Sequence, residues 1–198
     1  SHWQLGVEVY GGVILRTWFD RDLSIAGRVH YLNEEQQIAS SLINFERPIA
    51  TIPSLAIHMD RETNKKHCVN EQTQLSPILL QCQKNKQPNF KTLLLNQVNL
   101  EHQNAQEILD YDLYFYDTQL PILSGFNEEF INSARIDNLV SCYIGLISML
   151  QSARHVPTVL ACYNHEEVGS ESAAGAASCF LESVMKRLTH THDDFSRC

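Results

Sequence analysis

The sequence predicts a β-rich domain joined to part of an α/β domain. Its 198 residues are enough for one or two domains with a sizeable core. Up to about residue 115, apolar residues recur at strand spacing between polar turns. After Asp117, a helical pattern, a continuous apolar run and a second helical pattern follow in order, which is typical of a domain with a parallel sheet. We therefore expect a domain boundary within residues 116–126.

Strands should dominate the first part. Residues 6–15 carry β-branched and aromatic side chains around two glycines, which indicates a strand with a bulge or bend. Residues 25–31 and 38–45 predict two strands joined by a polar hairpin loop. We expect a polar mobile loop over residues 61–74, a short helix over residues 90–97 and a further strand over residues 111–115.

Three elements are expected after the boundary. Residues 138–153 place apolar side chains at helical spacing. Residues 158–163 are continuously apolar, as in a strand buried on both faces of a parallel sheet. Residues 169–188 are rich in alanine and predict a second helix.

Charge and cysteine content narrow the classes of function. There are 15 Lys and Arg against 23 Asp and Glu, a net charge of −8, which argues against binding nucleic acid or anionic membranes. No apolar run reaches the roughly 18 residues of a spanning helix. The six cysteines show no metal-site spacing. Apolar neighbours around Cys142, Cys162 and Cys179 predict reduced, buried thiols, and hence a cytoplasmic protein.

The most informative string is Asn-His-Glu-Glu-Val-Gly-Ser at residues 164–170. It follows the predicted buried strand, at the sheet edge where α/β proteins bind ligands. Glu166 and Glu167 repel each other unless a cation offsets their charge, and one could bind a metal while the other acts as a general base. An acidic loop that caps the following helix explains the pattern equally well.

Asp137 is a second candidate, at the start of the first predicted helix. Its carboxylate could bridge two metal ions, although an ordinary N-cap is the better explanation of this residue alone. A strand ending near Ala134 and parallel to the buried strand would bring Asp137 to the same sheet edge as Glu167.

Other candidate sites are weaker. His165 and Glu166 begin like the zinc motif HExxH, but Gly169 occupies the position of the second histidine. Nucleophile-elbow and phosphate-loop motifs are absent from the sequence. His190 and His192 are better explained as solvated residues at a helix end than as ligands. His58, at the end of an apolar stretch, is by itself better explained as a hydrogen-bonded structural histidine.

Several motifs together resemble the aspartyl aminopeptidase family of dinuclear metallopeptidases, and most closely its bacterial branch. They run in order along the whole chain: residues 7–12 (VEVYGG), 18–29 (WFDRDLSIAGRV), 47–48 (RP), 52–58 (IPSLAIH), 117–119 (DTQ), 133–139 (SARIDNL) and 166–172 (EEVGSES).

The resemblance implies a zinc-peptidase-like α/β catalytic domain, partial here, with an inserted β-rich dimerisation domain. Residues 1–118 would be the dimerisation domain, and residues 119–198 the central part of the catalytic domain. By analogy, Asp137 bridges the two metals, Glu166 is the general base and Glu167 is a metal ligand. His58 would reach the active site of a neighbouring subunit and contact its substrate there.

The family's cofactor is a pair of divalent ions, with zinc expected and manganese or cobalt as alternatives. Its substrates are peptides, from which it removes an N-terminal residue, Asp or Glu by analogy. Its dimers build into twelve-subunit shells, so we expect a homo-oligomer that binds neither nucleic acid nor membrane. The alternative is an oligomerisation and assembly portion of such an enzyme, inactive in isolation.

This chain departs from the family pattern in two ways. Asn164 replaces the aspartate that usually precedes the His/Asn-Glu-Glu string, which would weaken the orientation of the site. The chain lacks an initial Met and also lacks three family ligands. One is a histidine expected upstream, and the others are an aspartate and a histidine expected downstream. We therefore expect a fragment without the N- and C-terminal parts.

Overall fold

A computed structural model describes residues 1–65, 68–83, 88–101, 104–153 and 155–189. The chain divides into two units. The first comprises Ser1–Val9 and Ile14–Gln119, and the second comprises Tyr10–Val13 and the residues from Leu120 onward.

The first unit contains five strands and two helices in its described part. They are β1 (His2–Gln4), β2 (Leu23–Asn33), β3 (Ile38–Asn44), α1 (Glu71–Gln74), β4 (Ile78–Gln81), α2 (Phe90–Glu101) and β5 (Ala105–Asp117). The central sheet is antiparallel with the order β3-β2-β5, and β1 pairs with β4 in a separate two-stranded ribbon. The predicted strands at 25–31, 38–45 and 111–115, the hairpin between the first two and the helix from residue 90 are confirmed.

Helix α2 covers one face of the central sheet. Leu94 and Val98 of the helix are fully buried against Val29, Ile43 and Ile108 of the three strands. Burial of each such side chain stabilises the fold by about 1.5–3 kcal/mol. This cluster forms the larger hydrophobic core of the unit.

A second core lies around the start of β2. Leu23 is fully buried and packs with Ala50, Ile52 and Leu75. Single bridges join Leu23 to Ala50 and Thr51 to Ile78, so the extended segment around residue 50 links β2 to β4.

Arg21 links residues 17–21 to residues 117–119 beside this core. Its Nη1 donates hydrogen bonds to Asp117 Oδ2 at 2.6 Å and to Gln119 Oε1 at 3.0 Å, and its Nε donates to the Thr17 carbonyl. Residues of two of the recognised motifs, 18–29 and 117–119, therefore meet here, and both have a structural role.

Two expectations for the residues before the predicted boundary are wrong. Residues 6–15 form no strand, and a 3₁₀ turn at Leu15–Trp18 follows them instead. The positive φ of Gly11 (73°) interrupts the extended backbone there. Residues 61–74 are not a loop throughout, because Asn70 caps α1 by accepting hydrogen bonds from Gln72 N and Thr73 N.

The described part of the second unit is a small hairpin followed by two helices. Its elements are β6 (Ile122–Ser124), β7 (Phe130–Asn132), α3 (Ile136–Gln151), a 3₁₀ turn at Glu166–Val168 and α4 (Phe180–Thr189). Strands β6 and β7 pair only with each other, antiparallel. The predicted helix over residues 138–153 is confirmed as α3.

The predicted parallel sheet is absent from the described residues. Residues 158–163 form no strand, and Val159 and Leu160 are 52% and 38% exposed. The strand expected to end near Ala134 is β7, which ends at Asn132 in an antiparallel pair. A strand buried on both faces needs neighbours on each side, and the described residues supply none.

The helix predicted from residue 169 begins only at Phe180. Gly169 and Ser170 have φ values of 100° and 62°, which stop a right-handed helix from starting there. Turns occupy the described backbone between Ser170 and α4.

Buried thiols were also wrongly expected in this unit. Cys162 and Cys179 are exposed and Cys142 is half-buried, because no core forms around them. The five described cysteines are free. A hydrogen bond with the Cys162 thiol raises the pKa of Cys142 above its ordinary value. No helix in the described part of the chain is long and apolar enough to span a membrane.

Gly27 of β2 leaves no room for an added methyl group. Its φ is 153°, and a Cβ would lie 2.2 Å from the Asp112 carbonyl oxygen and 2.9 Å from Leu113 Cα. We expect Gly27→Ala to lower the free energy of unfolding by about 1–3 kcal/mol, through strain and overpacking.

Urea unfolding of the two variants Gly27→Ala and Gly6→Ala measures this effect. Gly6 is the control, because a Cβ there would meet no atom within 4 Å and its φ is not positive. Equal stabilities would contradict the close approach of β2 and β5.

Candidate functional site

Glu166 and Glu167 lie in a tight turn that their neighbours hold by backbone hydrogen bonds. His165 precedes them with φ 60°, and Gly169 follows with φ 100°. Gly169 N donates to the Glu166 carbonyl at 3.0 Å, and Ser170 N donates to the His165 carbonyl at 2.9 Å. The sequence therefore folds into a compact turn with two adjacent carboxylates on it.

Two further contacts close the base of this turn. The His165 Nδ1 and the Ser172 Oγ are 2.5 Å apart and hydrogen-bonded. Asn164 N donates to the Ala174 carbonyl at 3.1 Å. Gly175 is required nearby, because a Cβ there would lie 2.1 Å from the Ser170 carbonyl oxygen. Contacts within residues 164–175 thus hold the turn in place.

The side chains of Glu166 and Glu167 have no compensating charge within the described chain. Both residues are exposed, and neither carboxylate has a hydrogen-bond or ion-pair partner there. They also lie well before α4, which begins at Phe180. The explanation of these residues as a helix cap is therefore wrong, and two adjacent negative charges are left uncompensated.

Asp137 is in the first turn of α3 but is not its N-cap. The cap is Arg135, in a left-handed conformation with φ 62° and without a capping side-chain hydrogen bond. The Asp137 carboxylate is exposed and has no partner among the described residues, so the N-cap explanation is wrong. A carboxylate at this position is favourable electrostatically and remains able to bind a ligand.

His58 lies in the first unit on an exposed turn. Met59 N and Asp60 N both donate to the Ala56 carbonyl, at 2.8 Å and 3.2 Å. The imidazole is exposed and has no hydrogen-bond partner among the described residues. The explanation of His58 as a hydrogen-bonded structural histidine is therefore wrong.

The described residues form no complete metal site. No group of three or more His, Cys, Asp or Glu side chains among them is arranged to hold a metal ion. His190 and His192 lie outside the described residues. The carboxylates of Asp137 and Glu167 fit zinc in their donor chemistry, but a zinc site takes three or four protein ligands.

Comparison with known proteins identifies the family of the chain. The family model described as "Aminopeptidase I zinc metalloprotease (M18)" matches residues 1–197. The chain belongs to the M18 family. It is 50% identical over 198 residues to "Probable M18 family aminopeptidase 2" of Ectopseudomonas mendocina (strain ymp), covering all of this chain and 46% of that protein. This M18 chain therefore spans about half the length of the curated relatives it matches.

Solved structures share the fold of this M18 chain. One is described as "Cryo-EM structure of the Ape4 and Nbr1 complex". It matches with a TM-score of 0.79 and 31% identity, over 97% of this chain and 41% of that one. A second, "Structure of S. cerevesiae mApe1 dodecamer", matches with a TM-score of 0.66 and 26% identity, over 96% and 43%. The recognised family is confirmed.

Sequence reasoning missed the residues that shape the turn. Ser172 gave no signal as a hydrogen-bond partner of His165. Gly11 was interpreted as a strand bulge, although it lies against Glu167: a Cβ on Gly11 would be 2.8 Å from Glu167 Cβ. The only signal available was the pair of adjacent glycines in a strand-like run, which indicates a close backbone approach without naming the partner.

Proposed function

We propose that the protein containing this chain is a metallo-aminopeptidase. It hydrolyses the N-terminal residue of peptides, with a preference for Asp or Glu, at a site with two divalent ions. The observation that carries the proposal is the turn at residues 165–169 in an M18 chain, with two adjacent, exposed carboxylates that have no partner among the described residues.

Each candidate residue has a proposed role. Asp137 would be a ligand to both ions and Glu167 a ligand to one of them. When bound, such ions would supply polarisation of the scissile carbonyl and a lower pKa of the attacking water. Glu166 accepts the proton of that water at its carboxylate and returns it to the leaving amine. The unpaired state of the Glu166 carboxylate supports this assignment, since a general base must be free to accept a proton.

Further ligands are needed, because two carboxylates cannot complete a zinc site. We place them in the parts of the M18 proteins that this chain does not match, as one histidine upstream and an aspartate and a histidine downstream. The 46% coverage of a relative that is 50% identical leaves room for these ligands.

Assembly is the second proposed property. One structural relative is described as a dodecamer, and we propose that this protein is also a homo-oligomer. The exposed turn carrying His58 supports a role between subunits, because Leu55, Ile57 and Met59 beside it are also exposed. The free thiols of the described cysteines support a cytoplasmic location.

The alternative function is assembly without catalysis by the 198-residue chain. The absence of a three-ligand group among the described residues favours it. We expect elemental analysis of the isolated chain, after incubation with zinc or manganese, to find essentially no bound metal. About two ions per chain would contradict the alternative and show that other ligands complete the site.

Glu166→Gln tests the base. In the full-length protein we expect kcat to fall by at least about 100-fold, because the amide cannot accept a proton, while zinc content is unchanged. The assay uses peptides beginning with Asp, Glu, Leu or Lys, and the wild type should prefer the acidic residues by about tenfold in kcat/KM. Glu171→Gln, an exposed neighbour in the same segment, is the control. Near-normal turnover of Glu166→Gln would contradict the assignment.

Mixing two inactive variants tests whether His58 acts in the active site of a neighbouring subunit. We expect His58→Ala and Glu166→Gln proteins, denatured and refolded together, to regain about a quarter of wild-type turnover. A working site then combines an intact Glu166 with His58 of a neighbouring subunit. Each variant refolded alone is the control. No recovery in mixed oligomers, demonstrated by two affinity tags, would show that His58 acts within its own subunit, and normal turnover of His58→Ala refolded alone would show that His58 has no role.

A further inference from the structure

The backbone of Gly11 lies directly against Glu167 within the second unit. A Cβ added to Gly11 would be 2.8 Å from Glu167 Cβ and 3.0 Å from the Glu167 carbonyl oxygen. Carbon atoms in ordinary contact are about 3.5–4.0 Å apart. The φ of Gly11 is 73°, which also favours glycine. The position therefore admits no side chain while Glu167 stays where it is.

The next residue along the chain does not share this constraint. A Cβ on Gly12 would meet only Glu167 Oε2, at 3.8 Å, which is an ordinary contact, and the φ of Gly12 is not positive. The two adjacent glycines therefore differ both in the space for a Cβ and in the sign of φ, and substitutions can separate the two effects.

The same segment also contacts the other side of the turn. The ring of Tyr10 meets the ring of His165 edge-on, with centroids 6.5 Å apart. His165 is hydrogen-bonded to Ser172. Residues 10 and 11 thus contact the residues on both sides of Glu166.

We propose that Gly11 is a positioning residue for the metal centre: its lack of a side chain sets the position of Glu167 in the turn. This inference rests on the proposed role of Glu167 as a zinc ligand. A methyl group at residue 11 would have to displace Glu167 Cβ by about 1 Å to reach a normal contact distance. Metal–ligand distances tolerate only about 0.2 Å, so the displacement weakens zinc binding.

Three variants of the full-length protein separate contact from backbone strain. Gly11→Ala adds the methyl group and strains the backbone. Gly11→Asn adds a Cβ but tolerates the left-handed conformation. Gly12→Ala adds a methyl group with room around it. Zinc Kd is measured by competition with a chelator, together with kcat and KM for peptide hydrolysis and the Tm of the zinc-free proteins.

We expect both Gly11 variants to raise the zinc Kd at least tenfold and to lower kcat with KM within twofold. Gly12→Ala should stay within twofold of wild type in all three quantities. A wild-type zinc Kd in Gly11→Asn would show that strain alone acts and would overturn the proposal. Equal zinc binding by Gly11→Ala and Gly12→Ala would also overturn it. Failure of both Gly11 variants to fold would overturn it as well, because Gly11 would then be assigned to stability alone.

Glu167→Gln tells this failure apart from failure of the proposed function. If Glu167→Gln weakens zinc binding and the Gly11 variants do not, only the positioning role is wrong. If Glu167→Gln binds zinc as the wild type does, Glu167 is not a ligand, and the proposed metal centre fails together with the role of Gly11.

Discussion

The antiparallel ladder between β2 and β5 runs from Leu23 opposite Asp117 to Asn33 opposite Ala105, and both cores of the first unit are built on it. At one end, Leu23 closes the smaller core; further along, Val29 and Tyr31 contribute to the core beneath α2. Gly27 lies between them, where the two backbones approach too closely for any side chain. The ladder therefore depends on one residue without a side chain as much as on its hydrophobic neighbours.

The second unit has no comparable core in its described part. Every fully buried hydrophobic side chain among the described residues belongs to the first unit, whereas α3 exposes apolar residues such as Leu139, Tyr143 and Leu150. A helix of this composition is stable in a protein when its apolar surface is covered. The described residues do not cover these side chains, so the local pattern predicted the helix α3 correctly and the burial of its Cys142 wrongly.

The distinction between local sequence pattern and packing against distant residues separates most of the correct expectations from the incorrect ones. Strands β2 and β3 were predictable because a two-residue period and a polar hairpin are local features, and both strands find their partners nearby in sequence. Residues 158–163 have the composition of a buried strand, but a parallel strand requires distant partners. The start of α4 was missed for a local reason: Gly169 and Ser170 adopt left-handed conformations that propensity does not reveal. The adjacent charges in the sequence identified Glu166 and Glu167 as site candidates, whereas the contact of Gly11 with Glu167 is visible only in the three-dimensional structure.

In the proposed function, the adjacent carboxylates of Glu166 and Glu167 link metal binding to burial of the turn that carries them. In bulk water two like charges repel by only about 1 kcal/mol even at a separation of about 4 Å, so an exposed pair such as Glu166 and Glu167 is tolerable without a cation. When protein covers the turn and the effective dielectric constant falls to about 20, the same repulsion reaches about 4 kcal/mol. A divalent ion then becomes the most direct compensation. Under the proposed function, exclusion of water from the turn would therefore favour a divalent ion beside Glu166 and Glu167.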